Sequence, residues 1–322
     1  MKHTLKITLF LVLIFLFSQV IGLTIINKYI QVTKTPQGTT EVTYPDTAIG
    51  PVPQMEPSFS FWYIIIAVLI GTIIVLILVR FRKFMIWKTW FLIAVWLSMS
   101  VSIGVFIKGG FLSNYDFAML IALLFAVWKI YRPNIYVHNL TEIFMYAGIA
   151  LIFVSSLDIK WAIGLLLVIS AYDMYAVWKS RHMVKMAEFQ AESNVFAGLF
   201  IPYKRKQAGK KEETKIQNIK PIKIAKEAPG KEKEASMAIL GGGDIAFPLI
   251  FSGVVMNSLI RDNLLTKLNA FLLTLIITFF VTLALSILFY KSEKGKYYPA
   301  MPFLTAGCLV GYGIVYLLQM II

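Results

Sequence analysis

The sequence predicts an all-α membrane protein with nine transmembrane helices. Three observations carry that expectation. Of the 322 residues, 58% are hydrophobic and 15% are charged. Apolar runs close to the ~20 residues of a bilayer crossing recur along the whole chain. The mean hydropathy of +0.73 is far above that of a water-soluble domain.

In order, the runs cover residues 7–26, 59–79, 89–107, 115–130, 143–157, 161–178, 237–259, 269–290 and 300–322. The first follows Lys2 and Lys6, as a signal peptide would. It is longer than a typical signal core and no A-x-A site follows it, so it reads as a retained helix. The fifth run is short, and Asp158-Ile159-Lys160 alone links it to the sixth. Merging the two would give a helix far longer than one crossing, so they read as two spans. The chain is then one polytopic domain, 1–322. It comprises a six-helix part (1–189), a flexible cytoplasmic loop (190–236) and a three-helix part (237–322).

The net charge of +14 raises nucleic acid as a partner. The basic residues instead flank apolar runs or crowd into one loop, which fits a positive-inside bias and anionic lipid. Nine spans put the termini on opposite faces. With the N-terminus in the cytoplasm, of the 31 Lys and Arg only Lys28, Lys34, Lys108, Lys160, Arg261 and Lys267 fall outside. That asymmetry predicts a multi-pass cell-membrane protein with a cytoplasmic N-terminus and an extracytoplasmic C-terminus. The outer segment 27–58 holds Pro36, Pro45, Pro51, Pro53 and Pro57 around a β-prone stretch at 39–44, and reads as an ordered loop with a short hairpin. The inner segment 203–236 is rich in Lys, Glu, Pro and Gly and too poor in apolar residues to fold alone. Cys308 is the single cysteine, which excludes a disulfide framework and a Cys-based zinc site. Neither a metal nor a cofactor is expected.

Ionisable side chains inside a bilayer are costly, so each is a functional candidate. Asp116, Glu142 and Asp158 lie at span edges and read as solvated interfacial groups. Asp173 and Asp244 lie well inside apolar sequence. With the sixth span running inward and the seventh outward, Asp173 sits about 7–8 Å from the cytoplasmic end and Asp244 about 10 Å, at 1.5 Å per residue. Two carboxylates on neighbouring antiparallel helices thus reach nearly one level. Such a pair cannot ionise fully in a low dielectric and shares a proton, so one member can act as base and the other as acid. Two membrane aspartates equally suit a proton or cation pathway, and on the aspartates alone a proton-coupled transporter or channel leads.

The flanks shift that balance. Gly241-Gly242-Gly243 removes side chains next to Asp244, so another backbone can approach. Pro248, four residues on, cannot donate to the Asp244 carbonyl, which predicts a loosened helix around the carboxylate. Pro299-Ala300-Met301-Pro302 opens the ninth span without a regular first turn. Ordinary Gly and Pro use in packed membrane helices would account for either feature taken singly.

As an ordered set, these segments resemble the presenilin and signal peptide peptidase family of intramembrane aspartyl proteases. Tyr172-Asp173 looks like the family's Tyr-Asp motif and Gly241-Gly242-Gly243-Asp244 fits its Gly-x-Gly-Asp motif. Pro299-Ala300-Met301 resembles its Pro-Ala-Leu motif, with Met301 in place of Leu. Ser180-Arg181-His182-Met183 looks like microbial homologues, with Lys179 and His182 interfacial. The resemblance implies a presenilin-like fold in which Asp173 and Asp244 are catalytic. It assigns Tyr172, Gly241, Gly242, Gly243, Pro299, Ala300, Met301 and Pro302 to substrate binding. It also implies transmembrane peptide or protein substrates whose N-terminus lies outside, and self-cleavage within the cytoplasmic loop. Prepilin peptidases share a Gly-x-Gly-Asp motif, but their six to eight spans and cytoplasmic Cys pairs do not match. A non-enzymatic scaffold leaves the matched depth of the two acids without a reason.

Overall fold

The structure is a computed structural model. It describes residues 5–34, 40–52, 55–107, 114–132, 134–179, 186, 189–190, 192–193, 195–203, 236–262, 265–292 and 298–321. The segment 180–183 and most of the 190–236 loop, 204–235 included, therefore lie outside the described residues.

Among these residues there are nine α-helices: α1 (Leu5–Tyr29), α2 (Pro57–Phe81), α3 (Phe84–Gly104), α4 (Asn114–Tyr131), α5 (Ile135–Val154), α6 (Ile159–Met174), α7 (Gly242–Arg261), α8 (Lys267–Lys291) and α9 (Met301–Ile321). Eight are long and apolar enough to cross a membrane, α4 being the exception. Two small antiparallel sheets accompany them. Strands β1 (Gln31–Lys34) and β2 (Thr40–Thr43) form the expected hairpin between α1 and α2. Strands β3 (Gly198–Tyr203) and β4 (Ser236–Gly241) pair from Gly198↔Gly241 to Tyr203↔Ser236.

Two spans differ from the sequence reading. The seventh run was expected to be helical from residue 237, but Ser236–Gly241 is a strand and the helix begins at Gly242. Three consecutive glycines carry the highest helix penalty outside proline, while Met237, Ile239 and Leu240 tolerate an extended chain. The fifth helix starts at Ile135, not 143, with Asn134 as its N-cap accepting from the Tyr136 and Val137 N–H groups. His138, Asn139, Thr141 and Glu142 hid that first stretch from an apolar count. They are polar because the bundle, not lipid, surrounds them.

α7 is the most enclosed helix, with Leu249, Phe251, Val254, Val255 and Met256 all buried. It packs on α1, α5, α6, α8 and α9. α1 is also interior, with Leu11, Phe15, Leu23 and Ile26 fully buried. At the other extreme, α2 rests on α3 and α6 and exposes Phe59, Trp62, Ile66, Ile70, Ile73 and Ile77. That i, i+3/i+4 stripe of large apolar residues suits lipid and would be untenable in water. Several hydroxyls inside the spans donate to carbonyls of their own helix, as in Ser18 to Phe15 (2.7 Å) and Thr282 to Thr278 (2.7 Å). The Tyr44 hydroxyl donates to Asn257 Oδ1 (2.8 Å), and Asn257 Nδ2 donates to the Val154 carbonyl (3.3 Å). The segment between α1 and α2 is thereby tied to α7 and α5.

α8 and α9 pack along their length, and Gly307 and Gly311 allow them to approach. A Cβ on Gly311 would lie 2.7 Å from the Ile277 Cα and one on Gly307 2.8 Å from the Phe280 carbonyl oxygen. Small residues spaced by four are the usual means of such contact in membranes. Gly311→Ala should lower stability by roughly 1–3 kcal/mol through overpacking. Thermal unfolding in detergent would read this as a lower midpoint, and an unchanged midpoint would show that α9 shifts freely against α8.

Candidate functional site

Asp173 sits in the last turn of α6, next to a π-helical turn, Tyr175–Lys179. Wide turns of this kind recur at functional sites. Its side chain is 8% exposed and its Oδ2 accepts the Met301 N–H at 3.1 Å. Met301 is the first residue of α9. A helix's opening N–H groups have no intrahelical acceptor, and the N-terminal end of the helix dipole favours an anion. Pro299 and Pro302 carry no N–H of their own, and the amides between them, Ala300 and Met301, are the ones turned to the carboxylate. Alongside, the Ser170 and Thr305 hydroxyls are hydrogen-bonded at 2.7 Å, pinning α6 to α9 one turn from the carboxylate.

Asp244 stands in an equivalent relation to α7. With Gly241 as N-cap, Asp244 is the third residue of the helix. It reaches back toward the Gly241 N–H, and its Oδ2 lies where it would touch a Gly241 Cβ, at 3.2 Å. That is the acidic half of a capping box, in which the third residue's carboxylate returns to the N-cap amide. Asp173 is close enough for its charge to act on Asp244. Topology thus brings together two acids 71 positions apart in sequence, each against the N-terminus of a different helix.

The glycines behave differently from one another. They were expected to admit a neighbouring backbone, but what Gly242 admits is the Tyr146 phenol: a Cβ there would overlap its hydroxyl and lie 2.9 Å from its ring. A Cβ on Gly243 would make ordinary contact with Phe247 at 3.6 Å. Pro248 also has another effect than expected. α7 runs as one helix through it, and the break in the chain lies upstream, at the strand-to-helix junction. The Ile245 carbonyl, three residues before Pro248, accepts from Gln19 Nε2 of α1 at 2.9 Å. A side chain from a neighbouring helix thus serves the carbonyl region that a proline disturbs. The Tyr172 hydroxyl donates to Thr72 of α2 at 3.1 Å. Beside Thr72 opens an apolar cavity of about 280 Å³ lined by Trp87, Trp90 and Phe91.

Sequence reasoning missed Gln19, Lys129, His138, Glu142 and Tyr146. Glu142, read as a solvated edge residue, is completely buried and ion-paired with Lys129. The available signal was an opposite charge on each of two consecutive spans joined by a short turn.

Residues 47–321 match the family described as signal-peptide peptidase, presenilin aspartyl protease. Two solved structures described as a presenilin family intramembrane aspartate protease, in two crystal forms, share the fold. One superposes with a TM-score of 0.57 at 17% identity, covering 97% of this chain and 99% of the other. The second gives 0.55 at 18% identity, covering 96% of each. No curated protein matches the chain.

The packing at the α7 entrance separates two neighbouring positions. Gly242→Ala should cost roughly 1–3 kcal/mol by displacing Tyr146, whereas Gly243→Ala should be neutral or stabilising by up to about 1 kcal/mol. Comparing the two unfolding midpoints checks this; equal shifts would show that Tyr146 yields without cost.

Proposed function

The chain belongs to the signal-peptide peptidase and presenilin family of aspartyl proteases, and from that premise we propose that Asp173 and Asp244 are its catalytic pair. The protein is a multi-pass intramembrane aspartyl protease, and its family acts on transmembrane substrates within the bilayer. Membership leaves the transporter reading without support. The observation carrying the catalytic assignment is the meeting of the two acids at one end of the bundle, each beside a helix N-terminus.

The chemistry follows from that pairing. Two carboxyl groups in a poorly solvated site hold one proton between them. Water between them gives a proton to the ionised member as its oxygen attacks the peptide carbonyl carbon. The protonated member gives its proton to the carbonyl oxygen, forming a gem-diol. Collapse of the diol breaks the C–N bond: the nitrogen takes the proton held by one carboxyl, and a diol hydroxyl returns its proton to the other, leaving an acid, an amine and a singly protonated pair. Neither a metal nor a cofactor enters any step.

A helical peptide bond hides its carbonyl, so the substrate has to unwind before attack. The β3–β4 sheet supports β-augmentation as the way an unwound strand is held. The outward backbone groups of β3 are occupied by α5: Asn139 bonds both the N–H and the C=O of Phe200, at 3.2 and 3.1 Å. The other edge of the sheet belongs to β4. Alternation directs the Ile239 backbone groups toward that edge, two residues before Gly241. A strand bound there would run toward Asp244, with Gly241, Gly242 and the 299–302 segment forming the walls. The lipid-facing α2, with Tyr172 and the cavity behind it, suits lateral entry.

We further infer that the acid pair lies toward the cytoplasm, with the N-terminus inside, from the Lys/Arg asymmetry of the loops.

The decisive experiment incubates detergent-purified protein with a single-pass peptide, with and without an aspartyl-protease transition-state inhibitor, and identifies products by mass spectrometry. Asp173→Ala and Asp244→Ala should each reduce cleavage by about 10²–10⁴-fold or more; cleavage persisting in either variant rules out the scheme. For orientation, in a Cys308→Ala background, a membrane-impermeant maleimide should label Gln31→Cys but not Lys291→Cys on intact cells. The reverse pattern would invert the topology.

A further inference from the structure

The reaction uses two buried acids, and the bundle contains a third. Glu142 of α5 is fully enclosed and both its oxygens are engaged. Lys129 of α4 is ion-paired to Oε1. The Tyr146 hydroxyl, one turn along α5, donates to Oε2, as does the Gly198 N–H of β3 at 2.9 Å. His138 Nε2 lies 2.8 Å from the Gly198 carbonyl oxygen and 3.8 Å from Glu142 Oε1. A buried ion pair is no requirement for packing, since apolar groups of the same volume commonly serve as well or better.

What distinguishes this cluster is where two of its branches end. Gly198 is the register partner of Gly241, the N-cap of α7. The Tyr146 ring lies against the Gly242 Cα, and Asp244 is close enough for its charge to act on the Tyr146 hydroxyl. Glu142 is thus joined on one side to the α4–α5 pair and on the other to both residues that open α7.

We propose that Glu142, acting through Tyr146 and Gly198, is a positioning residue that holds the 241–244 turn, and with it Asp244, level with Asp173. It makes no contact with the reacting atoms, and the inference rests on the protease reading above. A purely structural ion pair would alter the folded fraction and leave turnover per folded molecule unchanged. A positioning residue alters turnover itself, because small displacements of an acid–base group cost rate steeply.

The test compares three variants in the single-pass peptide assay, with kcat expressed per folded molecule. Tyr146→Phe deletes one hydroxyl and should lower kcat about tenfold with KM within about twofold, the signature of a contact needed in the transition state. The double variant Glu142→Leu with Lys129→Met removes both charges together and should lose at least as much turnover. Glu142→Gln with Lys129→Met keeps an oxygen for Tyr146 and Gly198 and should restore kcat to within about threefold of the wild type. Wild-type kcat in Tyr146→Phe overturns the proposal, as does an equal loss in the Gln and Leu double variants. If the Leu variant does not fold, Tyr146→Phe decides alone. Wild-type protein that does not cleave, or cleavage that survives Asp244→Ala, marks failure of the protease reading instead.

Discussion

A carboxyl group below the membrane surface has no bulk water to satisfy it, and every other feature of this molecule accommodates that fact. Each candidate catalytic acid finds its partners in the one place a helical bundle leaves backbone donors unpaired, the start of a helix. Asp173 takes the Met301 N–H at the entrance of α9, and Asp244 reaches the Gly241 N–H at the entrance of α7. Both helices therefore have to begin inside the bundle, close together, at one end. The glycines and prolines near the acids serve this arrangement. They stand where α7 and α9 begin, and they leave the first amides turned toward carboxylates instead of continuing a helical ladder.

The same rule organises the surrounding polar groups. Gln19 serves the Ile245 carbonyl near Pro248, Asn139 serves both backbone groups of Phe200, and Glu142 collects Lys129, Tyr146 and Gly198. The last group is the most sensitive. Losing one member of a buried ion pair leaves an uncompensated charge and typically costs about 3–5 kcal/mol, whereas losing both together costs little. Its placement under the β4–α7 junction couples that electrostatic balance to the position of Asp244. α2, by contrast, has few such ties apart from the Thr72–Tyr172 hydrogen bond, and presents mainly apolar surface to lipid. Dense hydrogen bonding around the acids and an apolar periphery suit a site that is preorganised yet admits substrate from the side.

Much of this was legible in the residues themselves. Nine apolar runs foretold nine helices because a bilayer crossing demands length and apolarity, and both are additive along a chain. The two aspartates stood out because acids within such runs are rare for energetic reasons, and the direction of successive spans brought them to one level. The β1–β2 hairpin was readable from its β-prone stretch between prolines. What local reading could not supply were the facts that depend on a partner far away in sequence. Residues 236–241 pair with 198–203 across a long loop, so their strand character is decided by the partner and not by their own apolarity. Glu142 counts as an interfacial charge by position and becomes a buried hub only because Lys129, Tyr146 and Gly198 converge on it. The glycines foretold a close approach, but only the packing of α5 on α7 made Tyr146 the group that approaches. Composition and periodicity determine which segments enter the membrane, because transfer from water is a property of each segment alone. Which polar groups meet there is decided by tertiary packing, because a hydrogen bond needs two partners and the chain order specifies only one.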